Sequence, residues 1–232
     1  MTILARVTRS QTDERRLDRA ALLALAAIAV FTVLSVLVNA RDFANLDLAI
    51  ARAFHRIDLR ILNHLSETLA IVFSGEFSLL YALVIAAYFW RQGRRWAALA
   101  SLALFPLVLV EVVVKYVVNQ PPVPADLYRG LIYPLTTVAT QGSFPSGHAA
   151  RAAFFAAFLG ARGRNRAGLA RWLVPSIATI LLLACGLSRL YAEVHWASDV
   201  VAGIILGAGV GYFVTCLIDA FPEPTRPDEV KA

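Results

Sequence analysis

Six apolar stretches, at roughly 21–40, 69–90, 97–118, 148–162, 172–188 and 196–218, govern what this chain can become. A helix that crosses a bilayer needs about 20 mostly apolar residues. The stretches therefore predict an all-α, polytopic membrane protein, a six-transmembrane-helix bundle forming a single membrane domain over 1–232. Composition agrees: 59% of residues are hydrophobic and mean hydropathy is +0.64, where a soluble domain is nearer half apolar. The segment 1–20 carries charges of both signs and leads into the first apolar run. It has no short apolar core followed by an Ala-x-Ala-type cleavage site. It therefore reads as a tail ahead of a retained first helix. A second tail is expected at 219–232.

A net charge of +6 would suit nucleic acid, but the positions of the basic residues argue against that partner. Arg6, Arg9, Arg15, Arg16 and Arg19 precede the first stretch, Arg91, Arg94 and Arg95 separate the second and third, and Arg162, Arg164, Arg166 and Arg171 separate the fourth and fifth. With Arg226 and Lys231 they fall on one face of a six-span layout. Cytoplasmic loops carry such an excess, so both ends are expected in the cytoplasm, with a bacterial cytoplasmic membrane as the expected location. Lys115, His148, Arg189, His195 and Asp199 then meet at the outer face.

Between the first two stretches, Phe43, Leu46, Ile50, Phe54, Ile57, Ile61 and Leu65 recur at steps of three or four. That period predicts an amphipathic helix over 41–68, lying on the outer surface or serving as a lid or lipid ramp beside the site. His55 and His64 read as ordinary polar-face residues. Residues 119–147, with five prolines, form a long outer loop of the kind that is often functional. Cys185 and Cys216 sit inside apolar runs and read as buried reduced thiols. Glu76, Glu111 and Arg151 also fall in apolar runs, where structural pairing beside the site is expected, and Trp196 and Tyr191 read as interfacial aromatics.

Ionisable groups at a membrane edge are functional candidates. Here they fit phosphoryl transfer, which needs cations and N–H donors around the phosphoryl oxygens, a nucleophile and an acid. Ser146-Gly147-His148 should open the fourth helix, where free N–H groups and the helix dipole attract an anion. Arg189 can fork onto two oxygens and Lys115 supplies a point charge. His195 and Asp199 lie four apart on one helical face. A carboxylate on one imidazole nitrogen leaves the other free to attack. His148 remains to protonate the leaving oxygen and then to activate water.

Pro145-Ser146-Gly147-His148, and Ser188-Arg189 followed by His195 and Asp199, are two motifs by which the chain resembles the type 2 phosphatidic acid phosphatases, over roughly residues 60–220. The resemblance implies a six-span, metal-independent lipid phosphatase in which His195 is the nucleophile, Asp199 orients it and His148 is the acid. It also implies no cofactor. The family's first motif, Lys, six residues, then Arg-Pro, is incomplete: Lys115 is present, but Pro122 and Val123 stand at the Arg-Pro positions. A hydrogen bond to a charged group is worth about 1.5–3 kcal/mol, so the missing arginine would weaken phosphate binding about ten- to a hundredfold. Arg129, in the same loop, is the candidate to replace it, against the plainer reading of a solvated loop charge.

Three other readings of these residues compete with this one. A two-histidine, one-carboxylate metal site from His148, His195 and Asp199 is opposed by Arg189 and Lys115, which repel a cation. A rhomboid-type serine protease built on Ser146 lacks its Gly-x-Ser-Gly pattern, because Phe144 occupies the first position. A non-catalytic lipid-phosphate-binding relative would not be expected to keep both histidines. The expected function is hydrolysis of a lipid phosphomonoester or diphosphate at the non-cytoplasmic face through a phosphohistidine, with a lipid phosphotransferase as the closest alternative. The expected substrate is a phospholipid phosphate or a polyprenyl phosphate or diphosphate.

Overall fold

The computed structural model describes residues 3–129, 142–164 and 167–220. Among these the chain is helical, in the order α1 (Ile3–Asn39), α2 (Ala44–His55), α3 (Arg60–Val72), α4 (Gly75–Arg91), α5 (Arg95–Ser101), α6 (Leu104–Val117), α7 (Gly147–Arg164), α8 (Ala170–Tyr191) and α9 (Ala197–Ala220). Helix α1 runs through the segment expected as a tail. The expected 119–147 loop is described only at its two ends, and the 219–232 tail only at its first two residues.

Among the described residues, four helical stretches are long and apolar enough to span a membrane: Leu17–Asn39, Arg95–Val117, Ala170–Tyr191 and Ala197–Asp219. The pair α3 and α4, bent by 51°, makes a fifth if it counts as one span. The expected count of six is not confirmed by this criterion, which α7 does not meet. Its sequence explains why. Helix α7 is rich in alanine, carries Arg151 and packs between α8 and α9, so protein rather than lipid surrounds most of its length.

Small residues make that central packing possible. On α9, Gly203, Gly207 and Gly211 stand at four-residue steps facing α7. A Cβ on Gly207 would overlap the carbonyl of Ala150, and one on Gly211 would lie 2.6 Å from that of Phe154. Only glycine lets the two backbones approach so closely. The contact presses the start of α7 against the first turns of α9, where the Ser146 N–H donates to the Asp199 carbonyl at 3.0 Å.

The expected single amphipathic helix over 41–68 is two helices. The chain breaks at Leu59, whose N–H and C=O both bond the Tyr191 hydroxyl at 3.2 Å, while that hydroxyl donates to Asn63 Oδ1 at 2.6 Å. Their apolar stripe is turned away from the protein. Leu46, Ile57, Ile61 and Leu65 are exposed, whereas Asp47 and Ala51 are buried. In a lipid medium an apolar stripe can face outward, and a buried polar residue then faces protein.

Candidate active site

Three short segments meet at one end of the bundle: the last turn of α6, the turn 143–148 that opens α7, and the stretch 188–199 joining α8 to α9. Helix α3 contributes carbonyls. It ends beside the bend at Phe73, and the final carbonyls of a helix have no partner within it. The Ala70 carbonyl accepts from His148 Nε2 at 3.1 Å and the Phe73 carbonyl from Arg151 Nε at 2.9 Å. One turn earlier, the Ser66 carbonyl accepts from Arg189 Nη2 at 2.6 Å. The broken helix is tolerated because its loose carbonyls meet these cationic and imidazole donors.

Arg189 is 1% exposed, and its Nε also donates to the Ser188 hydroxyl at 3.2 Å. Lys115 Nζ donates to the Ser143 carbonyl at 3.1 Å, which ties α6 to the turn ahead of α7. Within that turn Ser146 is fully buried and caps α7, its hydroxyl accepting from the Ala149 N–H at 3.5 Å. At Gly147 a Cβ would overlap the Glu111 carboxylate, which is itself bonded to Arg151 Nη1 at 2.6 Å. The expected structural pairing of Glu111 is therefore with Arg151.

His195 Nδ1 lies 3.2 Å from Asp199 Oδ2, which also accepts the Trp196 N–H at 3.0 Å. A carboxylate can only accept, so the ring proton sits on Nδ1 and the lone pair on Nε2. Burial pushes the His195 imidazole below its ordinary pKa of 6.5. The bond to Asp199 opposes that shift, while Lys115 and Arg189 reinforce it. The ring is therefore held neutral, the form that can attack. The Ala70 carbonyl can only accept, so His148 carries a proton on Nε2.

Several residues take different places from those expected. Arg129 donates to the carbonyls of Phe54 and His55 at 2.8 and 3.1 Å and lies over the Tyr191 ring at 4.3 Å. The cations bearing on His195 are Lys115 and Arg189. His55 is not an ordinary surface group but is bonded to the buried Glu193 at 2.9 Å. Tyr191 and Trp196 are not interfacial: both are buried, and the indole N–H of Trp196 donates to the Pro121 carbonyl at 2.7 Å. Val123, at a position of the incomplete motif, packs with Trp196, Ala51 and Leu127. Cys185 and Cys216 are free thiols.

Sequence reasoning missed Asp47 and Glu193. Asp47 is 2% exposed and accepts the Ser198 N–H at 2.9 Å and its hydroxyl at 2.6 Å. Burial raises its pKa above the ordinary carboxylate value, with the bonds from Ser198 opposing. An acid next to the apolar stripe was the available signal for Asp47, and an acid between Arg189 and His195 was the signal for Glu193.

Residues 94–222 match the family model of the PAP2 superfamily. No curated protein matches the chain significantly. Among solved structures, the chain is similar to the first transmembrane PAP2 type phosphatidylglycerolphosphate phosphatase from Bacillus subtilis. That likeness has a TM-score of 0.68 at 22% identity and covers 82% of this chain and 93% of the other.

Proposed function

The chain belongs to the PAP2 superfamily, and from that premise we propose that it hydrolyses a lipid phosphomonoester or diphosphate through a phosphohistidine. The observation that carries the reading is the His195–Asp199 pair at 3.2 Å, with Lys115 and Arg189 bearing on the same ring.

His195 Nε2 attacks phosphorus, and the bond from phosphorus to the leaving oxygen breaks. His148 enters this step as the imidazolium, with Nε2–H kept on the Ala70 carbonyl, and its Nδ1 proton passes to that oxygen, so the leaving group departs as the alcohol or the protonated lipid phosphate. The transferred group is then bound to His195 and flanked by Arg189, Lys115, the Ser146 hydroxyl and the N–H groups that begin at Gly147. His148, now neutral, takes a proton from water. The water oxygen attacks phosphorus, the P–N bond breaks, and inorganic phosphate leaves. Lys115 and Arg189 supply the positive charge that a metal would otherwise bring, which supports metal-independent chemistry.

The arginine clusters, which fall at the ends of the helices remote from His195, support cytoplasmic termini and action at the outer face. The substrate is a lipid phosphate, and the solved relative makes a phosphatidylglycerophosphate a rational first member of an assay panel. The test is phosphate release from such a panel in detergent with chelator present. His195→Ala should abolish it, and turnover near wild type in that variant would refute the mechanism.

A further inference from the structure

Helix α2 lies across the turn that carries His195 and is fastened on both sides of it. Beyond the histidine, Asp47 accepts both the N–H and the hydroxyl of Ser198, at 2.9 and 2.6 Å. Ahead of it, His55 Nδ1 bonds Glu193 Oε1 at 2.9 Å, and Arg129 Nε lies 3.7 Å from the same oxygen. Asp47 and His55 are eight residues apart on α2, about 12 Å along its axis. Between the two fastenings Ala51 packs against Trp196, the residue next to His195. Arg129 completes the attachment by binding the carbonyls at the end of α2.

The backbone at Glu193 shows what the second fastening does. Helix α8 ends in a Schellman turn, with the Val194 N–H donating to Arg189 O at 3.3 Å and the Glu193 N–H to Leu190 O at 3.1 Å. The residue at that corner adopts the left-handed conformation, where glycine is usual. Here it is Glu193, at φ 57°, with its side chain fully buried. A side chain is disfavoured in that conformation and persists where its surroundings fix it. What fixes it here is the carboxylate's hold on His55 and Arg129.

We propose that α2 is a splint for the nucleophile, with Asp47 and Glu193 as its two positioning residues. Both act through the backbone on either side of His195, and neither reaches the phosphate. The groups that face the His195 ring are Asp199 from α9, Lys115 from α6, Arg189 from α8 and His148 from α7. The splint keeps the ring among them and away from water. The proposal rests on His195 being the nucleophile.

The experiment compares Asp47→Ala, Glu193→Gly and Glu193→Gln with wild type and with His64→Ala, an exposed control on α3, in the full-length detergent-solubilised protein. It reads amide hydrogen exchange over 193–199, kcat, KM and the acid limb of the pH profile. Asp47→Ala and Glu193→Gly should speed exchange, lower kcat about ten- to a hundredfold with little change in KM, and move the acid limb up towards 6.5. Glu193→Gln still accepts from His55 and should recover most of kcat. His64→Ala should match wild type. Glycine suits the turn, so Glu193→Gly tests the proposal even if Asp47→Ala fails to fold. A Glu193→Gly protein with wild-type exchange and kcat overturns the splint while an inactive His195→Ala leaves the nucleophile standing. An active His195→Ala overturns both.

Discussion

Gly147 and Glu111 are coupled by steric exclusion, and the size of that coupling follows from the packing. Removing the Glu111 carboxylate strands Arg151, whose side chain is 5% exposed and whose other bond is to the Phe73 carbonyl. Breaking one side of a buried pair costs about 3–5 kcal/mol. Gly147→Ala in the wild-type background drives a methyl group into Glu111, and overpacking of this kind costs about 1–3 kcal/mol. The three atoms nearest the added Cβ all belong to Glu111. In a Glu111→Ala background that overlap is removed, so the same substitution should cost little there. The double-mutant cycle should show a favourable coupling of about 1–3 kcal/mol. Reversible chemical denaturation of the four proteins in mixed micelles measures it. Additivity to within about 0.5 kcal/mol, the behaviour of independent sites, would refute the packing argument.

Arg189→Lys loses the fork and its bond to the Ser66 carbonyl, so kcat/KM should fall about ten- to a hundredfold; steady-state kinetics check this. Because burial lowers the pKa of His195, the nucleophile stays neutral through pH 6.5, and the acid limb of kcat/KM should fall below that value. By the same linkage, stability should decline as pH falls from 6.5 towards the lowered value, because the unfolded chain protonates first; denaturation at stepped pH reads it. Gly207→Val would push a side chain into the Ala150 carbonyl, and the fold should lose about 1–3 kcal/mol, seen as a lower denaturation midpoint.

How legible the molecule was in its sequence depends on what surrounds each element. Helices α1, α6 and α8 present exposed apolar residues over much of their length, so hydropathy located them well. Helix α7 is sheathed in protein, and its alanines, glycines and Arg151 carry a weak apolar signal although it lies at the centre. The segment 41–68 carries a clear apolar stripe for the opposite reason. Its stripe of Leu46, Ile57, Ile61 and Leu65 faces outward, while the buried contact is made by Asp47, and the break at Leu59 is dictated by Tyr191 from a distant helix. The contact between His195 and Asp199 was readable because four residues separate them. Arg129, His55 and Glu193 were not, because their partners come from segments far apart in sequence. No local pattern distinguishes a loop arginine in water from one lying over a tyrosine ring.

The claim on which the rest depends is that His195 takes the phosphoryl group. Wild-type protein turning over a phosphorus-labelled lipid phosphate, quenched in alkali and mapped by peptide, tests it most directly. The account predicts an alkali-stable, acid-labile label on the peptide containing His195. A label on Ser146 or any other residue, or an unlabelled protein during turnover, would contradict it.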